Sequence, residues 1–135
     1  MKYARLLPLL LIVCAPVSLS QERDARVEDG VAIRQGRDVK IKGEDLKIAF
    51  LSVAEDSRCP DGVKCVWAGN AKVRLSVRNS KDECAEFELN TNLEPAVYDF
   101  GKYQISLAHL SPYPSVNGEL KPRSYTATVV VTKSK

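Results

Sequence analysis

Histidine, tryptophan and methionine occur once each in a chain of 135 residues, and that scarcity excludes several chemistries. A zinc centre needs four ligands at short spacings. One histidine and no second close cysteine pair do not supply them, so no metal and no cofactor is expected. There is no Gly-x-Ser-x-Gly elbow, no phosphate loop and no His-Glu-x-x-His helix. There is also no Lys/Arg cluster of the kind that neutralises phosphates along a nucleic acid. No stretch of helical period runs beyond about two turns, and no internal repeat or low-complexity segment is found. These absences leave a β-rich chain without a recognisable catalytic motif.

The formal net charge is +3. Residues 1–20 have the three parts of a secretion signal. Lys2 and Arg5 make a positive start, and residues 6–17 are an apolar run too short to cross a bilayer as a helix. Ser18-Leu19-Ser20 offers small residues for cleavage before Gln21. Of the 20 Lys and Arg residues, 18 then remain against 17 Asp and Glu, or +1. The rival reading is a lipid anchor on Cys14, although Val13 stands where a lipoprotein signal wants a small residue. Export implies a periplasmic or secreted location in which disulfides survive, with membrane attachment only if Cys14 is lipidated. Residues 21–30 are mostly charged and read as a flexible lead-in. Residues 31–135 then form one domain, large enough for a proper core.

From Val31 onward the apolar residues alternate with period two, the signature of half-buried strands. Strands are expected at 31–34, 39–42, 46–53, 72–78, 84–90, 102–110 and 125–132. The run 46–53 is nearly continuous in apolar residues and reads as a central strand covered on both sides. Asn79-Ser80-Lys81-Asp82 reads as a hairpin turn. It sets the basic outer face of 72–78 beside the acidic outer face of 84–90, where opposite charges support pairing. Residues 91–99 read as a connection, and Asn117-Gly118 as a turn. About seven short strands predict an antiparallel β-sandwich, Ig-like or closed into a small barrel.

The most informative stretch is 55–70, EDSRCPDGVKCVWAGN. Cys59 and Cys65 enclose a Pro60-Asp61-Gly62 turn and can fold back on one another. A disulfide closing so small a loop stabilises by about 2–2.5 kcal/mol in the chain-entropy model. The pair lacks the two-residue spacing and helix of a redox motif. Trp67 is expected to pack against this staple or into the end of the core, the alternative being an exposed binding anchor beside Arg58 and Asp61. Glu55, Asp56, Asp61 and Asn70 match no calcium-loop spacing. Asp56 and Arg58 are instead expected to tie down loop backbone. Gly69 supplies a positive φ that redirects the chain. Cys84 is the surplus cysteine, a free thiol, a site for a bridge to another chain or an alternative partner for the loop pair. A Cys84–His109 nucleophile pair is the sharpest enzymatic idea. It is weak, because parity puts His109 on the apolar face with Tyr103, Ile105 and Leu107 and Cys84 on a polar one.

The run Asp56-Ser57-Arg58-Cys59-Pro60, followed by Cys65-Val66-Trp67-Ala68-Gly69-Asn70, resembles the hallmark of a family of small exported bacterial proteins of unknown function, some of which look like lipoproteins. Residues 103–107 and 110–114 resemble the C-terminal half of that family. The resemblance implies a bacterial source and an exported location, and brings no catalytic residue with it. The expectation that follows is a non-enzymatic envelope protein that binds a protein or envelope component. The alternatives are an inhibitor presenting loop 59–65 to a secreted hydrolase, and a thiol enzyme using Cys84.

Overall fold

The computed structural model describes residues 27–116 and 125–134. The expected signal segment, Cys14, residues 21–26 and the Asn117-Gly118 turn lie outside the described residues. Eight strands follow one another: β1 (Val27–Arg34), β2 (Asp38–Lys40), β3 (Lys47–Asp56), β4 (Ala71–Arg78), β5 (Cys84–Asn90), β6 (Val97–Phe100), β7 (Tyr103–Ser111) and β8 (Thr126–Lys133). They form two four-stranded antiparallel sheets, β1-β8-β7-β6 and β2-β3-β4-β5. The molecule is thus a β-sandwich, with eight strands where about seven were expected. The added strand is β6, within the stretch read as a connection. Both sheets are meanders of chain neighbours apart from β1, which joins beside β8, so the topology is not that of an immunoglobulin domain. β1 also starts earlier than the alternation from Val31 indicates. Val27 pairs with Val131 across an irregularity that absorbs residues 28–30 of the expected lead-in.

The inward residues of both sheets meet in one core that includes Ile33, Ile48, Phe50, Leu75, Leu89, Ile105, Leu110 and Val129, all buried. Each such side chain contributes about 1.5–3 kcal/mol relative to exposure. Strand β3 is covered on one face only. Ile48 and Phe50 point inward, whereas Leu51 on the other face is exposed. Two register shifts, between Phe50 and Ser52 and between Val53 and Glu55, then change which residues face in. The hairpin of β4 and β5 pairs Arg74 with Glu88 and Ser76 with Glu86. Arg74 lies 3.4 Å from Glu86 and 3.9 Å from Glu88, the charge pairing expected from the two outer faces. Phe87 of β5 stacks on Tyr98 of β6, ring centroids 4.0 Å apart, and closes one side between the sheets.

Each end of the sandwich is bridged by a carboxylate. At the end carrying the short turns, Glu44 accepts a hydrogen bond from the Tyr103 hydroxyl (2.9 Å) and pairs with Lys133 Nζ (2.6 Å). Both partners belong to the opposite sheet. Burial pushes the Glu44 carboxyl up, but these hydrogen bonds and the nearby positive charges outweigh it and leave it below the usual carboxylate value. Burial and the Glu44 hydrogen bond together push the Tyr103 hydroxyl up. The other end carries the long loops and the candidate site.

Candidate functional site: a locked loop with an exposed apolar tip

Strand β3 ends at Asp56 and β4 begins at Ala71, so residues 57–70 leave the sandwich and return to it within one sheet. The two legs pair as they leave: Ser57 N–H donates to Asn70 O (2.8 Å) and Cys59 N–H donates to Ala68 O (3.1 Å). The Ser57 hydroxyl donates to the same Asn70 carbonyl (3.0 Å) and accepts from the Asn70 N–H (3.1 Å). Gly69 has φ +69°, as its place in the run suggested, and a Cβ there would stand 1.8 Å from Ser57 O. No other residue fits, on both backbone and steric grounds.

Side chains fix these legs to their neighbours. Asn70 donates to the Asn90 side chain (2.8 Å), and its Oδ1 accepts the Asn92 N–H (3.0 Å). Asn92 in turn donates to Gly69 O (2.7 Å). Thr91 Oγ1 accepts the Ala71 N–H (2.9 Å). The loop between β5 and β6 therefore buttresses the 57–70 loop.

Arg58 is the second lock. It is only 4% exposed. Its Nε and Nη2 donate to the two Asp56 carboxylate oxygens, each at 2.8 Å, a bidentate fork. Nη1 donates to Leu110 O, Nη2 donates also to Pro112 O (2.8 Å), and the guanidinium lies 4.5 Å from the Tyr113 ring centroid. Tyr125 O–H donates to Asp56 Oδ2 (3.1 Å). Burial pushes the Asp56 carboxyl up, but the Arg58 hydrogen bonds and charge win and hold it below its ordinary value. The same pair holds Arg58 above its ordinary value, against the effect of burial. Asp56 and Arg58 thus tie loop backbone, as expected, and join the β2-β3-β4-β5 sheet to the end of β7 and to both ends of the β7–β8 connection. The expectation of Arg58 as binding surface is corrected: it is a buried strut. Among the described residues no three His, Cys, Asp or Glu side chains gather as metal ligands.

Beyond these locks the loop is open. Cys59 and Cys65 form a disulfide with Cα atoms 5.9 Å apart, and Gly62 turns with φ +80° between them. Asp61 is exposed at this turn. Trp67 is 82% exposed, Val66 91% and Val63 41%. The expected packing of Trp67 against the staple or core does not occur. Arg58 and Leu110 already fill that end of the core, and the Cys59–Ala68 pairing directs residues 60–67 away from the sheets.

Cys84 and His109 are not brought together. Cys84 opens β5 opposite Arg78 and is a free, exposed thiol. His109 lies in the other sheet near the end of β7, by the long loops. A bulge between Leu107 and His109 inverts parity, so His109 faces solvent and Leu110 takes the core position. The parity placement of His109 on the apolar face is thereby corrected. Its ring lies 6.1 Å from that of Tyr113. The signal available for Arg58 was its spacing: two residues from Asp56, it shares a face with it in extended chain.

Fold and loop together define a two-sheet antiparallel sandwich that presents a disulfide-closed apolar tip on a hydrogen-bonded neck. No protein-family model, curated protein or solved structure matches the chain. The disulfide is compatible with an oxidising compartment.

Proposed function

We propose that this is an exported bacterial envelope protein, non-enzymatic, that binds a protein or envelope component through the tip of the 57–70 loop. The observation that carries the reading is the exposure of Trp67 and Val66, 82% and 91%, on a neck fixed by the Asp56–Arg58 pair and the Asn70 network. A large aromatic held out in water is unfavourable in isolation, and tryptophan is enriched among residues that dominate binding energy. A neck ordered in advance lowers the entropy lost on association. The signal-like leader and the resemblance of DSRCP-x4-CVWAGN to exported bacterial proteins support the location.

The test is photocrosslinking from position 66 in envelope extract, with and without Trp67→Ala. A single species captured by the parent and lost in the variant supports the reading. Capture unaffected by Trp67→Ala overturns it. A second reading, inhibition of a secreted hydrolase by residues 59–65, is favoured by the disulfide-closed ring standing clear of the sheets. Its signature is inhibition that disappears on reduction while the fold persists.

A further inference from the structure

The outer face of the β2-β3-β4-β5 sheet carries a second candidate site. Register places Lys40 opposite Lys47 and Lys47 opposite Arg78, three cations side by side across three strands. Like charges directly opposite one another are destabilising. In the adjacent row Asp38 faces Ala49 and Ala49 faces Ser76. Ala49 and Ser76 are short, and the chains around them are long. The result is a groove of about 350 Å³, lined by Arg37, Asp38, Lys47, Ala49, Ser76 and Arg78 among others.

Charge is balanced elsewhere on this face. Lys72 pairs with Glu55 and Arg74 with Glu86 and Glu88. The groove's carboxylate, Asp38, is engaged by Lys47 at 2.5 Å. Arg78 lines the groove without an ion pair or side-chain hydrogen bond among the described residues, and Arg37 has only the longer-range attraction of Asp38. Guanidinium groups present paired N–H donors in the geometry of a phosphate or carboxylate. The Ser76 hydroxyl on the floor adds a further donor.

We propose that this groove binds a phosphate ester, held by Arg37 and Arg78 with Ser76 beneath and the Asp38–Lys47 pair at its side. Asp38 is one carboxylate beside Arg37, Lys47 and Arg78, so a bound oxyanion supplies counter-charge that Asp38 alone does not. The phosphate could belong to a soluble ester or to an anionic lipid headgroup, and the experiment separates the two. The full mature chain, 15N-labelled, is titrated at constant ionic strength with inorganic phosphate, glucose 6-phosphate and chloride. It is also sedimented with phosphatidylglycerol vesicles. Saturable shifts at Ala49, Ser76 and Arg78 with the phosphates and not with chloride are expected. Arg37→Ala or Arg78→Ala should weaken binding about tenfold each, the scale of one charge-assisted pair, while Lys81→Ala, outside the groove, should not. Vesicle binding that falls in the same variants assigns a lipid headgroup; its absence beside saturable glucose 6-phosphate binding assigns a soluble ester. Shifts equal with chloride, or unchanged in the Arg37→Ala/Arg78→Ala variant, mean an adventitious ion only and overturn the proposal. So does the absence of groove shifts and vesicle binding together. Both arginines are exposed, so unchanged urea midpoints will verify that the variants fold.

Discussion

The two ends of the sandwich are bridged alike and used differently. Each has a buried carboxylate that accepts a tyrosine hydroxyl from the opposite sheet and pairs with a cation. At the short-turn end the cation is Lys133, half in solvent, and the bridge is complete with Glu44 and Tyr103. At the loop end the cation is Arg58, buried, forked onto Asp56 and donating to the Leu110 carbonyl near the end of β7 and to the Pro112 carbonyl just past it. An ammonium suffices to join two sheets. A planar guanidinium with five donors can also fix the path of a loop. The difference marks the loop end as the one where backbone position has to be held.

The comparison breaks most severely at Arg58. Arg58→Ala leaves the Asp56 carboxylate buried without its partner and should cost about 3–5 kcal/mol, read as a lowered urea midpoint. Glu44→Gln retains the shape and loses the charge-assisted bonds, so about 1.5–3 kcal/mol is expected, discounted toward the lower figure by the exposure of Lys133. Replacing both Cys59 and Cys65 by serine should cost about 2–2.5 kcal/mol and leave the Asn70 network in place, visible as retained amide protection at Asn70 and Ala71.

Acid acts on both bridges in the same direction. Asp56 and Glu44 are both held below their ordinary values. Their stabilisation is therefore present above the unfolded pKa values, about 3.9 and 4.3, and is lost as pH falls through the lower folded ones. The parent should lose stability below about pH 4, and Asp56→Asn and Glu44→Gln should each flatten that limb of the curve. An acid limb equally steep in both variants would show that other carboxylates set it. The smallest effect on stability belongs to Trp67→Ala, within about 0.5 kcal/mol, as for other surface substitutions.

Most of the fold was legible because seven strands carry enough alternation to show a period of two. β6 was not, since its apolar Val97 faces water beside the inward Tyr98, which hides the alternation, and Pro95 just before it reads as a connection. His109 was misplaced because one inserted residue reverses a parity count, and nothing local in the Leu107-Ala108-His109 run announces the bulge. The staple could be read from spacing, and the tying role of Asp56 and Arg58 from their residue types, but that the two fork onto each other shows only in the fold. The exposure of Trp67 could not, because it depends on how the loop leaves the sheets, which the Cys59–Ala68 pairing and the Arg58 bonds to the distant Leu110 and Pro112 carbonyls fix. The Asn70–Asn90–Asn92 buttress was likewise hidden, being a meeting of two loops.

The contact beneath Gly69 carries a practical consequence. With not even a methyl's width between the two legs of the neck, the stem behaves as a fixed socket for whatever is spliced between Cys59 and Cys65. Foreign peptides closed by the same pair of half-cystines should therefore be accepted there, which makes this small sandwich a ready display scaffold.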